Sequence, residues 1–292
     1  MKKILLYALV VVSIFCSGLF AGVAPKKAIS KKPIASANTA LLESVENNDL
    51  KKVKEAIEQG ADVNAKGAQG LTPLHIASAM RSEEMIKLLL DKGAYVKAKT
   101  DNQWTPLHFA ADGGEGEKFV RIIKLLLDKG ADVNAQTDIG ATPLIGAVHF
   151  PNNLEIVKLL IKRGADVNKQ ETAAFGHAPI HVAAIFSSED MVKLLLDNGA
   201  NVNVQISGKF DKGNTALHRA ALTGDESLAK LLLSKGANPF IKNAKSETPF
   251  DIAKQGSTII IHGEPEAETA KREKEFKDVA NLLEQHMKTF KK

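Results

Sequence analysis

The chain has 292 residues, of which 44% are hydrophobic and 25% are charged, and 39 basic against 34 acidic residues give a formal net charge of +5. This composition excludes a collagen-like, low-complexity or wholly disordered chain, and the single cysteine excludes a disulfide scaffold. The two signs of charge are too well mixed to indicate nucleic acid, so we predict no nucleic-acid partner.

Residues 1–24 have the three parts of a secretory signal peptide. Two lysines precede an apolar run over residues 4–15, and mostly small residues follow it up to residue 24. We therefore predict cleavage between residues 21 and 24, and an exported protein that is periplasmic or secreted. The run from residue 4 to residue 23 is long enough to span a membrane, so an uncleaved anchor in the inner membrane stays open as the alternative.

Residues 25–37 are predicted to be a flexible linker, because proline, serine and lysine stand there without an apolar period. Two helices are predicted next, around Ala40–Glu46 and over Leu50–Glu58, in a unit that spans residues 38–70. This unit lacks the four-residue motif that opens the later units.

That motif recurs from residue 72 towards the end of the chain. The sequence Thr-Pro-Leu-His stands at Thr72–His75 and again at Thr105–His108. Related sequences start at Thr142, Ala178, Thr215 and Thr248, so that successive starts are 33, 37, 36, 37 and 33 residues apart. A Gly-Ala pair recurs in phase, with its glycine at Gly60, Gly93, Gly130, Gly164, Gly199 and Gly236. Two motifs that keep the same phase indicate an array of repeats.

Each repeat predicts a pair of helices. Thr72 starts the first helix, because its hydroxyl can cap free backbone N–H groups, and Pro73 suits the first turn, where no N–H is needed. In the second helix, Met85, Leu88 and Leu89 stand at helical spacing on one face. Gly93 ends that helix, because glycine accepts the left-handed conformation of a helix C-terminus. One pair is too small to bury its own apolar face, so neighbouring pairs must stack.

These motifs resemble those of the ankyrin repeat family, and the resemblance covers roughly residues 38–287. It implies an all-α solenoid of about seven helix-turn-helix units with β-turn or hairpin connections. The implied units are an N-terminal cap at 38–70, five central repeats at 71–247 and a C-terminal cap at 248–292, with an irregular insert at 255–266. The last helix has an apolar stripe that suits a cap, made of Phe276, Val279, Ala280, Leu283 and Met287.

No residue is predicted to be catalytic, to bind a cofactor or to bind a metal. The histidines of the motif occupy the same place in successive units, on the order of 10 Å apart, which is too far for one metal ion. We interpret them as structural groups that tie the helix to the adjoining turn by hydrogen bonds. Ser257 and His262 in the insert leave a hidden catalytic site as a remote alternative, although no third group orients them.

Positions that differ between units are the candidate binding residues, since positions shared by all units serve the fold. The ankyrin resemblance places the variable positions on the turn tips and the concave face that grips a partner. Large or charged side chains stand at these places, and we predict that the partner binds at Met80, Trp104, Phe109, Phe150, Phe175, Phe186, Phe210 and Arg219. The other interpretation of the aromatic residues is that some of them fill gaps between neighbouring repeats.

The resemblance therefore implies a non-enzymatic scaffold that binds another protein, with export placing it in the periplasm. It could serve there as a protective, accessory or immunity partner of another exported protein, and the sequence leaves these roles open. A membrane-anchored structural role in the envelope is the alternative. We expect a monomer that needs no cofactor.

Overall fold

The computed structural model of the chain describes residues 33–114, 116–172, 175–257 and 266–290. The predicted signal peptide, residues 25–32 of the predicted linker and residues 258–265 of the predicted insert, with His262, lie outside the described residues.

Helices follow one another in pairs through all the described residues, and no strand is present among them. The first three pairs are α1 (Pro33–Glu46) with α2 (Leu50–Glu58), α3 (Pro73–Ala79) with α4 (Glu83–Asp91), and α5 (Pro106–Ala111) with α6 (Glu117–Asp128). The next two are α7 (Pro143–Val148) with α8 (Leu154–Lys162), and α9 (Pro179–Ile185) with α10 (Glu189–Asp197). The last two are α11 (Ala216–Thr223) with α12 (Glu226–Ser234), and α13 (Pro249–Gly256) with α14 (Glu266–Phe290). The seven pairs match the seven predicted units.

The first helix corrects the predicted linker. Helix α1 begins at Pro33, so residues 33–37 of the predicted linker are helical. Proline is well suited to a first helical turn, since the N–H that it lacks would have no partner there.

The pairs stack in two layers. The first helices of successive pairs pack on one another, and we call α1, α3, α5, α7, α9, α11 and α13 the inner helices. From α4 onward the second helices also pack on one another, and we call α2, α4, α6, α8, α10 and α12 the outer helices. Helix α14 packs on α11, α12 and α13 and closes the end of the stack. This arrangement confirms the predicted all-α solenoid.

The core lies between the two layers and runs through every unit. In α4, Met85, Ile86 and Leu89 are fully buried, whereas Leu88 is half-buried. The buried face of this helix is therefore rotated slightly from the predicted one, because Ile86 rather than Leu88 completes it beside Met85 and Leu89. Among the predicted stripe residues of α14, Phe276, Val279 and Leu283 are buried.

Hairpin turns join the pairs. We call the turns at residues 65–71, 98–104, 135–141, 204–214 and 241–247, and residues 169–172 and 175–177 of the turn between α8 and α9, the fingers. Each finger is closed by backbone hydrogen bonds, as from the Thr100 N–H to the Trp104 carbonyl at 2.9 Å. Neighbouring fingers are also bonded to each other, as from the Thr172 N–H to the Ile139 carbonyl at 3.0 Å. The fingers therefore form a continuous hydrogen-bonded row beside the inner helices.

Asparagine side chains hold the units together at the base of the fingers. The Asn134 Oδ1 accepts from the Asp166 N–H at 2.8 Å, and its Nδ2 donates to the Gly164 carbonyl at 2.9 Å. Both bonds are present at three further asparagines, namely Asn64, Asn168 and Asn203. Lys97 stands at the corresponding place between the second and third units, where an amide is needed to make this pair of bonds.

Candidate functional site

The motif histidines fix the inner helices to the fingers. The Thr72 N–H donates to the Nδ1 of His75 at 3.1 Å, so the Nε2 of His75 carries the proton and donates to the carbonyls of Ala98 and Trp104 at 3.1 and 3.0 Å. His108, His181 and His218 make the same link to the finger that follows, through Ala141, Val204 and Glu247 respectively. These bonds confirm the structural interpretation of the four histidines.

Burial keeps these imidazoles neutral. It lowers the pKa of His75, His108 and His181 to about 4, although hydrogen bonds to backbone carbonyls oppose the shift. A neutral imidazole accepts at one nitrogen and donates at the other, and the link between units needs both. In the described part of the chain, no group of His, Cys, Asp and Glu side chains is arranged to hold a metal ion.

The inner face, made of the inner helices and the fingers, carries the predicted binding residues in three groups. Trp104 and Phe109 form the first group, near the second and third units. Trp104 is half-buried, and its ring lies 5.4 Å from that of Phe109, between centroids. Phe109 is only 7% exposed and also contacts the His75 ring edge-on at 5.6 Å.

Phe109 is therefore corrected from a surface residue to a packing residue. Trp104 covers it on one side and His75 contacts it on another, so its ring is closed to a partner. The sequence interpretation in which some aromatics fill gaps between repeats holds for this residue.

The second group lies where inner helices end. Met80 directly follows α3 and is 40% exposed, while Phe150 and Phe186 are half-buried. The Phe186 ring meets the His149 ring edge-on at 5.9 Å, which fixes its orientation. These side chains retain accessible surface on a frame that is already ordered.

The third group comes from the two longest fingers. The Phe175 ring lies 5.8 Å from the Phe210 ring, and it stacks on the His177 ring at the same distance. Gly176 has a φ of +61°, and an added Cβ would collide with the backbone of Gly208, so these two fingers approach each other closely. Phe210 is 48% exposed, and Arg219 is half-buried on α11 beside this pair of fingers.

Two carboxyl groups with raised pKa values lie near these aromatics, the half-buried Asp112 and the buried Glu171, and neither was predicted from the sequence. Burial raises the pKa of Asp112, at the end of α5, to about 6, although the charge of Arg81 opposes the shift. Burial raises the pKa of Glu171 to about 7, although a hydrogen bond from the His177 N–H opposes it. In the shorter fingers, the hydroxyls of Thr100 and Thr137 accept a hydrogen bond from the backbone N–H that closes the finger. Glu171 occupies the same position in its longer finger, and its carboxylate accepts the corresponding bond from the His177 N–H. Alignment of the fingers in the sequence could therefore have identified this role of Glu171.

A groove of about 780 Å³ lies at the C-terminal end of the inner face. Leu222, Ile252 and Phe276 supply apolar side chains to it, and it extends from the last two fingers to the first half of α14. Its lining includes five Lys or Arg residues and four Asp or Glu residues, so its charge alone favours no particular ligand.

The comparisons with known proteins agree with the repeat geometry. A family model described as ankyrin repeats in three copies matches residues 16–100, 96–171 and 144–243. No match is found among curated proteins. Within the described ranges, the structure has no helix that is both long and apolar enough to cross a membrane.

Proposed function

Because the chain belongs to the ankyrin repeat family, whose repeats generally act as protein–protein interaction modules, we propose that this protein is a non-enzymatic scaffold that binds another exported protein through its inner face. The observation that carries the proposal is the set of partly exposed large side chains on that face, made of Met80, Trp104, Phe150, Phe175, Phe186 and Phe210. Hydrogen bonds of the histidines and the fingers order the frame beneath them before any partner arrives, so little conformational entropy is lost on binding.

The proposed place of action is the periplasm, where the protein would protect, assist or neutralise its partner. The basic start and apolar run of residues 1–24 support export. Cell fractionation with measurement of the intact mass tests this part of the proposal. A periplasmic protein that has lost about 2 kDa supports a cleaved signal. A chain of full mass in the membrane fraction would instead support the anchored structural role in the envelope.

We expect Trp104→Ala or Phe186→Ala to weaken partner binding at least tenfold. A truncated aromatic anchor commonly loses more than about 2 kcal/mol of binding free energy, and about 1.4 kcal/mol corresponds to tenfold. The partner is to be captured from the exported fraction, identified by mass spectrometry and purified, and dissociation constants are then to be measured by calorimetry.

Tyr95→Ala is the matched control for this test. Tyr95 is 68% exposed but lies four residues after the end of the outer helix α4, away from the inner helices, so its loss should leave the affinity unchanged. Circular dichroism should verify that each variant is folded, since Trp104 also covers Phe109. Binding that survives both inner-face changes and is lost on reversing charges of the outer helices would disprove the inner-face assignment.

A further inference from the structure

Arg219 differs from the residues at the same position of the other units. It directly follows the motif histidine, where the other units have Ile76, Phe109, Gly146 and Val182. A long cation therefore stands on the inner face at a place that is otherwise apolar or without a side chain.

The Arg219 guanidinium has no acceptor within the described residues. Its Nε is fully buried and has no hydrogen-bond partner, and among the described residues no hydrogen bond or ion pair of its terminal nitrogens is found. Burial lowers its pKa, although the charge of Asp211 opposes that shift. Partial removal of an unpaired ion from water costs free energy. Binding of a hydrogen-bond acceptor from another molecule to this guanidinium would therefore be strongly favoured.

Arg81, whose Nε is also buried without a partner, shows how this fold pairs the terminal nitrogens of an arginine that serves packing. The Nη2 of Arg81 donates to the carbonyls of Gly113 and Asp112 at 2.7 and 3.3 Å, and its guanidinium lies 5.0 Å from the centre of the Phe119 ring. Arg81 thus holds the turn after α5 in place. Arg219 makes none of these contacts, and a role in holding the fold does not account for it.

The surroundings of Arg219 are aromatic and cationic. Its charge lowers the pKa of His177, whose ring stacks on Phe175, and Phe175 in turn contacts Phe210. Lys209 and Lys212 are exposed on the same finger as Phe210, with Asp211 as the one acidic residue between them. The site therefore combines an unpaired guanidinium, an apolar wall and a surplus of positive charge.

We propose that Arg219, with Phe175 and Phe210, forms a receptor site for an aspartate or glutamate side chain of the partner protein that stands next to an apolar side chain. The inference rests on the proposed function and names the chemistry of the partner. The guanidinium binds the carboxylate through two parallel N–H donors, and the phenyl rings cover the neighbouring apolar group.

A random dodecapeptide library displayed on phage tests this proposal. The peptides are fused at their C-terminus, so that acidic side chains are the only carboxylates within each peptide. The full chain, Arg219→Gln and Arg163→Gln serve as baits. Arg163 is the matched control, since it pairs with Asp128 at 2.7 Å on the outer side of the array. We expect the full chain and Arg163→Gln to select peptides in which Asp or Glu adjoins Phe, Tyr or Leu, and Arg219→Gln to lose this selection.

A double-mutant cycle then measures the pair itself. Replacing the selected acidic residue by its amide in a C-terminally amidated synthetic peptide should weaken binding to the full chain at least tenfold. The same replacement should change binding to Arg219→Gln less than twofold. Selected peptides without an acidic preference, an equal loss with both proteins, or no selected peptide at all would overturn the proposal.

The melting temperature of the Arg219→Gln variant distinguishes a binding role of Arg219 from a structural one. Arg219→Gln should melt at the temperature of the unmodified chain or above it, because a buried donor without a partner is removed. A marked fall in melting temperature would show that Arg219 supports the fold, and would overturn the proposal. Peptides whose binding depends on Trp104 or Phe186 but not on Arg219 would overturn it as well, while leaving the inner face as the binding surface.

Discussion

A neutral imidazole at the motif position pairs a backbone N–H at the start of its own helix and a backbone carbonyl of the following finger. The Nδ1 of His108 accepts from the Thr105 N–H at the start of α5, and its Nε2 donates to the Ala141 carbonyl in the following finger. Protonation would remove the acceptor at Nδ1 and place a charge at a site that is 3% exposed. The residue that links the units is therefore also the residue that makes the links sensitive to acid.

We expect the protein to lose stability as the pH falls from about 6.5 to about 4. Burial lowers the folded-state pKa of six histidines below the ordinary value of 6.5, and these are His75, His108, His149, His177, His181 and His218. The unfolded state then binds more protons across this window, so the free energy of unfolding decreases as the pH decreases. Thermal unfolding at pH 7 and pH 5 should reveal a loss on the order of a few kcal/mol.

Two carboxyl groups have the opposite effect on the pH dependence of stability, but their effect is smaller than that of the six imidazoles. The raised pKa values of Asp112 and Glu171, about 6 and about 7, make these groups stabilise the fold as the pH falls. Burial and the charges of His181, His149 and Arg219 lower the pKa of His177 to about 3. His177→Asn should therefore reduce the pH dependence of the melting temperature. An unmodified protein with the same melting temperature at pH 7 and pH 5 would contradict the inference that the buried imidazoles are neutral in the folded state.

At the level of the repeat unit, the joints between neighbours are unequal. The asparagine pair of bonds is missing between the second and third units, where Lys97 replaces the amide and Tyr95 replaces the residue that caps the turn in other units. The fourth unit has Ile145 in place of the motif histidine, so its joint to the fifth unit lacks an imidazole link but keeps the two Asn168 bonds. Some joints thus have both the histidine link and the asparagine link, and others have only one of the two.

We expect Lys97→Asn to stabilise the array. By analogy with Asn134, the new amide would accept from the Asp132 N–H and donate to the Gly130 carbonyl, and each bond contributes about 0.5–1.5 kcal/mol net. The melting temperature should rise, and hydrogen exchange of α3 and α4 should slow. The reverse change, Asn134→Lys, should lower the melting temperature, and Lys99→Asn in the neighbouring finger serves as a neutral control. A Lys97→Asn variant no more stable than the Lys99→Asn variant would contradict the inference that this joint is weak.

The sequence predicts those features that recur along the array. Threonine, proline and histidine at a fixed spacing predicted the inner helices and the histidine links, because these depend on local chemistry that is repeated along the chain. Burial of Phe109 depends instead on contact with Trp104 as well as with His75, and the tryptophan does not recur in other units. The raised pKa of Glu171 and the unpaired guanidinium of Arg219 likewise depend on how side chains pack around two particular fingers. A repeat pattern does not predict such packing, because it occurs at only one place in the array.

On the scale of the whole molecule, the stack has two ends that need cover. Each unit buries its apolar surface against its neighbours, so an end unit without a cap would expose part of the core. At the C-terminus, α14 supplies this cover with Phe276, Val279 and Leu283, which pack against the last inner and outer helices. The same helix borders the groove of about 780 Å³, so stability and the shape of the inner face depend on it together.

We therefore expect deletion of residues 266–292 to destabilise the protein and to cause it to associate. The deletion uncovers buried residues of α12 and α13, including Leu232, Leu233 and Ala253, and exposed apolar patches promote association. Analytical ultracentrifugation should show concentration-dependent oligomers, and thermal unfolding a lower midpoint. Val279→Asp in the full chain should act in the same direction, since it places a charge at a fully buried site, whereas Lys274→Asp on the exposed side of α14 should have little effect. A deletion variant that stayed monomeric with an unchanged midpoint would show that α14 is an appendage, and the array would then have to be stable with α13 as its open end.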